Sequence, residues 1–186
     1  MRKQPLHVSR RGFTIVELLA VVCIAGVLAA VAVPIGRSFG LSSSLSAFAH
    51  AFLSHLQLAR SEAIKRRSPV VLCKSADAVS CASAGGWDQG WIVFHDANGN
   101  GLREADEQVI QKIEAMPLGL RLQGNLNVAR YVAFMPNGAT RTTSGAFQAG
   151  TLTLCRASSG PAEGRQVVIN AVGRPRLQKV PLASCD

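Results

Sequence analysis

From Phe13 to Val33 the chain runs for 21 residues with a single charge, Glu17. About 20 consecutive apolar residues suffice for a helix to span a bilayer, so this segment reads as a membrane-crossing helix. Beyond Pro34 the pattern turns periodic. Leu41, Leu45, Phe48, Phe52, Leu56, Ala59 and Ala63 recur at steps of three and four, which places them on one stripe of an α-helix. The pattern predicts a helix that continues out of the apolar run, bent at Pro34 and loosened by Gly36 and Gly40. Arg66-Arg67-Ser68-Pro69 stops it, with cations in the last turn and a proline that cannot prolong it. From Phe13 to Arg67 there are 55 residues, about 80 Å of helix at 1.5 Å per residue. Then the pattern shortens. Residues 70–73, 91–94, 109–113, 128–134, 150–155, 166–170 and 177–180 are short runs rich in β-branched side chains, separated by Gly, Asn, Pro or Asp. The stretch from Met116 to Asn127 carries little signal. One long helix followed only by strands predicts an α+β fold, the helix packed on an antiparallel β-sheet.

The apolar run is preceded by a short leader containing Arg2, Lys3, Arg10 and Arg11 and ending in Gly12. A secretory signal has a shorter apolar stretch, with its small-residue cleavage site after it rather than before. A plain anchor fits the length but gives no reason for Glu17, since an ionised carboxylate in a membrane segment costs about 3 kcal/mol. Gly12-Phe13-Thr14-Ile15-Val16-Glu17-Leu18-Leu19 resembles the N-terminus of type IV prepilins and pseudopilins. The resemblance implies that a prepilin peptidase cuts between Gly12 and Phe13 and methylates the new amine. Glu17 then becomes the fifth mature residue and faces the terminal amine of a neighbouring subunit in the fibre. The expected organisation is a cleaved leader (1–12), a hydrophobic transmembrane and fibre-core helix (13–38), an amphipathic helix (39–68) and a β-rich globular domain (69–186). The expected location is the bacterial inner membrane, single-pass with a periplasmic C-terminal domain, and then the pilus fibre at the cell surface.

Two further sets of residues carry the same resemblance. Ala59-Arg60-Ser61-Glu62-Ala63-Ile64-Lys65-Arg66 and Gly86-Trp87…Gly90-Trp91-Ile92-Val93-Phe94 are similar to the GspH/FimT group of minor pilins and pseudopilins, which implies a type IV pilin-like fold.

Charge separates the two halves of the chain. The net +9 falls to +5 without the leader's four basic residues. From Phe13 to Met116 there are 8 Lys/Arg against 9 Asp/Glu, whereas from Pro117 to Asp186 there are 8 against 2. The whole basic excess thus sits in the C-terminal part, a statement about partners rather than fold. Of five cysteines, Cys23 lies in the apolar run and reads as a packed apolar residue. Cys73, Cys81, Cys155 and Cys185 would be exported to where disulfides persist. Four cysteines allow three pairings. The favoured ones join neighbours in sequence, Cys73–Cys81 and Cys155–Cys185, and no CxxC or Cys/His cluster suggests zinc.

Asp96-Ala-Asn98-Gly-Asn100-Gly101, with Glu107 behind it, matches the written calcium-loop pattern. Strand-like runs rather than helices flank it, so the favoured reading is a polar hairpin turn, with Asp96, Asn98, Asn100 and Glu107 as calcium ligands in the alternative. No cofactor is expected. Catalysis is rejected: His7 lies in the leader, His50 and His55 face differently on a helix, and His95 has no Cys or Ser nucleophile nearby.

The last motif is Gly173-Arg174-Pro175-Arg176, with Lys179 behind it and Arg165 on the preceding strand. Arginine suits phosphate because its planar fork donates paired hydrogen bonds and stays charged. Pro175 stiffens the stretch, and Gly173 opens a turn. A Gly-Arg-x-Arg stretch near the C-terminus resembles that of FimT-type minor pilins, which implies DNA binding in natural transformation through Arg174 and Arg176. Arg165, Lys179 and Arg141 would widen the basic patch. Binding should be to the phosphate backbone without sequence preference, with base stacking minor because only Tyr131, Phe134 and Phe147 are near. The expected partners are DNA, other major and minor pilins, the prepilin peptidase and the inner membrane before assembly. The rival is a structural GspH-like pseudopilin of a type II secretion system, assembling in a periplasmic pseudopilus without DNA binding.

Overall fold

The computed structural model describes residues 14–185, and within them the side chains outside 31–41. It divides into two units, Met1–Ser42 and Ser43–Asp186. Gly12 and Phe13 lie outside the described residues, as do the side chains of Pro34 and Leu41.

Helix α1 runs Ile15–Arg66. Thr14 opens it: its Oγ1 accepts the Glu17 N–H at 3.3 Å and its carbonyl accepts Leu18 N–H at 3.1 Å. Thr14 is therefore the N-cap and Glu17 the third helical residue, where a carboxylate is favoured by the dipole. The side chains from Ile15 to Leu28 are exposed, so this stretch of the helix presents apolar surface all round. Among the described residues no helix is long and apolar enough to cross a membrane; the segment expected to do so, Phe13 to Val33, lies partly outside them.

In the second unit α1 ends on a left-handed residue. Arg67 has φ 53°, Ser68 N–H reaches Ala63 O and Arg67 N–H reaches Ile64 O, each at 3.3 Å. That is a Schellman stop in which arginine occupies the place usually taken by glycine. Eight strands follow: β1 Val70–Lys74, β2 Trp91–His95, β3 Val109–Ile113, β4 Leu120–Gly124, β5 Tyr131–Phe134, β6 Gly150–Arg156, β7 Ala162–Ile169 and β8 Pro175–Leu182. They form two antiparallel sheets, ordered β3-β2-β1-β5 and β4-β6-β7-β8, where one sheet was expected. β4 comes from the stretch that carried little signal; its alternation is short, Leu120 and Leu122 inward with Arg121 and Gln123 outward. The expected strand at 128–134 begins only at Tyr131, because Leu126–Val128 form a 3-10 turn.

Leu45, Ala49, Phe52, Leu56, Ala59 and Ala63 of α1 pack on the inner faces of both sheets. Phe52 stands edge-on to Trp87 and Trp91, with centroids 5.5 and 5.0 Å away. Trp87 Nε1–H is satisfied by Val128 O at 3.0 Å. The first sheet also buries its other face, through Val71, Cys73, Ile92, Phe94 and Ala133. Disulfides join Cys73 to Cys81 and Cys155 to Cys185, with Cα atoms 5.5 and 6.1 Å apart.

Candidate functional site

The Gly-Arg-Pro-Arg stretch, expected in a loop, runs from the β7–β8 turn (Gly173, Arg174) into the start of β8 (Pro175, Arg176), and the turn's backbone is held from three sides. Asn170 O accepts Gly173 N–H and Asn170 Oδ1 accepts Arg174 N–H, both at 2.9 Å. Gly173 has φ +71° and is buried against the turn at Gly138, where a β-carbon would stand 2.0 Å from the Gly138 carbonyl oxygen. Only glycine meets both conditions. Buried Thr140 donates its N–H to Ala171 O at 3.3 Å; its one hydroxyl proton goes to Gln148 O at 2.5 Å, with Asn170 O a longer neighbour at 3.2 Å. From α1, Arg60 donates Nε–H to Gly138 O at 3.0 Å and reaches Val172 O at 3.5 Å. The helix, the 137–140 turn and the basic turn are thus one hydrogen-bonded assembly. No local signal marks Arg60 for this role, since its partners lie 78 and 112 residues away.

Arg174 and Arg176 are exposed above this base. Arg176 pairs with Val168 and lies on the outward face of its sheet. Lys179, three residues on, falls on the opposite face, where it pairs with Arg165. The expected place of Arg165 in the basic patch is corrected by its burial. Only 1% of it is exposed: its Nε donates to Ser46 Oγ at 3.2 Å, and Nη1 donates to Gly164 O and to Glu163, both at 3.1 Å. A guanidinium turned into the helix interface cannot meet a phosphate outside. Lys179 is exposed, but on that same side of the strand, so it does not extend the Arg174–Arg176 surface.

The outward face of this sheet carries a polar row. Gln123, Thr153, Gln166 and Gln178 align across the four strands, and Gln178 donates to Gln166 at 3.0 Å. None of the four strands places a carboxylate on this face; Glu163 shares the side of Arg165. At the β4 edge Arg121 is 3.5 Å from Asp88. Beside the basic turn, residues 141–147 form a small hairpin in which Arg141 and Phe147 pair directly. The Arg141 guanidinium lies 4.8 Å from the Phe147 ring centre.

The 96–107 loop joins β2 to β3. Asp96 is buried; its Oδ1 accepts the N–H groups of Gly99 and Asn100 and its Oδ2 that of Gly101. Glu107, also buried, accepts from Ala97 and Glu104. Asn98 and Asn100 accept from Asn100 and Leu102 N–H. Burial raises the Glu107 carboxyl above its ordinary value, while the Asn100 amide holds Glu104 low. The acidic side chains thus brace the turn from within, and among the described residues no group of three or more His, Cys, Asp or Glu could hold a metal. His95, expected to have no serine nearby, does have one, which corrects that expectation. Its Nε2 lies 2.8 Å from Ser68 Oγ, because β2 runs back alongside the helix exit, and the bond ties that exit to the end of β2.

The family model for the type II transport protein GspH matches residues 49–173. The type IV minor pilin FimU of Pseudomonas aeruginosa PAO1 superposes with a TM-score of 0.56 at 20% identity, covering 80% of this chain and 99% of that one. A second crystal form of FimU gives 0.54 at 20% identity, over 76% and 100%. The minor pseudopilin EpsH from the type 2 secretion system of Vibrio cholerae gives 0.50 at 17% identity, over 72% and 95%. No curated protein matches the chain in sequence. At such identities the structural likeness speaks for the fold alone, a helix packed on antiparallel sheet, but the family model takes in well over half of the chain. This chain belongs to the GspH family and has the α+β, type IV pilin-like fold.

Proposed function

We propose that this protein is a minor pilin that binds extracellular DNA through the β7–β8 turn, for uptake in natural transformation. It is inserted in the inner membrane by its apolar N-terminal segment, is cut by a prepilin peptidase between Gly12 and Phe13, and then assembles with other pilins. Glu17 answers the terminal amine of a neighbour. The observation that carries the reading is a pair of exposed arginines, Arg174 in a turn fixed by Gly173, Thr140 and Arg60 and Arg176 at the start of β8, on a sheet whose strands place no carboxylate on the outward face. Arginines whose backbone is already fixed lose little further freedom on meeting a phosphate, and the low local acidity leaves their field uncompensated. Contacts of this kind hold the polymer without reading its bases. No covalent chemistry is assigned to the protein.

The test is DNA binding by the full chain in detergent micelles, comparing wild type, Arg174→Ala/Arg176→Ala and Lys179→Ala. Removing both guanidinium groups should weaken binding at least about tenfold. Lys179→Ala, on the other face, should do much less. A wild-type protein that binds no DNA even at low salt would instead favour a structural pseudopilin; EpsH is a minor pseudopilin.

A further inference from the structure

The hairpin beside the basic turn has its own chemistry. Phe147 is 64% exposed, the most exposed aromatic ring among the described residues. Its pairing with Arg141 puts both side chains on one face of the hairpin, and the guanidinium stands 4.8 Å from the ring centre. The arginine is held there. Its Nη1 donates to Gly145 O at 2.8 Å, and its backbone N–H donates to Ala133 O of β5 at 3.2 Å. The hairpin tip is closed by Thr142 N–H to Ala146 O at 2.9 Å and Gly145 N–H to Thr142 O at 2.8 Å. Thr140, next in sequence to Arg141, donates its N–H to Ala171 O and so bonds the hairpin to the basic turn. An exposed aromatic ring backed by a half-buried guanidinium, and the two exposed arginines, are therefore carried by directly bonded segments.

We infer that Phe147, backed by Arg141, is a nucleobase-stacking position that strengthens this surface's hold on single-stranded nucleic acid and adds nothing to its hold on a duplex. The inference rests on the DNA-binding reading above and adds a second kind of contact to it. Phosphate contacts alone hold either form of DNA, whereas a base must be unstacked to lie on a side-chain ring. One ring face is covered by the cation, and the ring as a whole remains open to solvent. The cation also makes the ring's surroundings favourable to the backbone that would carry the base. This revises the expectation that stacking would be minor: of the three aromatics near the site Phe134 is buried, and sequence alone could not show that Phe147 is outside.

The experiment uses the full chain in detergent micelles and three labelled probes of equal length: an oligothymidine strand, an abasic sugar–phosphate strand and a duplex. Wild type should bind the thymidine strand about fivefold or more tighter than the abasic strand, the low end of what one stacked base contributes. Phe147→Ala should bind both equally while holding the duplex as wild type does, and Phe147→Trp should restore the difference. Unchanged thermal unfolding would show that the exposed substitution leaves the fold intact. Equal binding of thymidine and abasic strands by wild type, or a difference that survives in Phe147→Ala, would overturn the stacking position and leave phosphate binding standing. Failure of wild type to bind any of the probes would remove both readings together.

Discussion

His55 shows how one side chain can couple the core to pH. It lies on α1 with its ring 5.7 Å from Trp91, and its Nδ1 is buried without a hydrogen-bond partner. Burial lowers its pKa below the ordinary 6.5. The folded protein therefore binds this proton more weakly than the unfolded chain does. The stability from neutral His55 is full above the unfolded value and drains away as pH falls from there through the depressed folded value. Wild type should accordingly lose thermal stability between about pH 7 and pH 5, and His55→Phe should lose less over the same interval. Identical pH slopes for the two proteins would show that the imidazole is not the source. At this scale the sequence was partly legible. Exposure of Arg174 followed from a turn motif, which is local, whereas that of Arg176 comes from its outward position in β8. Burial of Arg165 did not, because it depends on which face of β7 meets the helix and on Ser46, 119 residues away.

Among the elements, the helix was the most legible, since its stripe and its stop are periodic and local signals. Its end still held a departure: the left-handed residue is Arg67, two before Pro69, not a glycine. The division of strands into two sheets could not be read from alternation, which gives faces but no partners. β4 escaped notice because only Leu120 and Leu122 mark its inward side. The two disulfides act on different spans, with sequence separations of 8 and 30. If the cross-links act mainly by limiting the unfolded chain, Cys155–Cys185 contributes about 3–4 kcal/mol and Cys73–Cys81 about 2–3 kcal/mol. The double serine variant at 155 and 185 should then melt lower than the one at 73 and 81. The reverse order would place the larger effect in the native state, where Cys73 is part of the second buried cluster.

At the scale of the molecule, charge is the feature that sequence conveys best, because it needs no fold. All of the basic excess beyond the leader lies after Met116, and the structure adds that the four strands of one sheet place no carboxylate on its outward face. Counterion release then predicts a salt dependence: the slope of log affinity against log salt should fall by about 0.7 for each phosphate of a single strand that is no longer neutralised. Arg174→Ala/Arg176→Ala should flatten the wild-type slope by about 1.4. A slope that does not move would place the phosphate-binding groups elsewhere. The Cys155–Cys185 bond has a mechanical consequence for any polymer held at Arg174 and Arg176. Tension applied there enters β8 at one end, and among the described residues β8 is an edge strand paired only with β7. Peeled from β7, the strand can extend only as far as Cys185, whose sulfur is anchored to Cys155 in β6. The covalent link is an arrestor: it caps the extension a pull can extract from this end and hands the remaining load to the interior of the sheet.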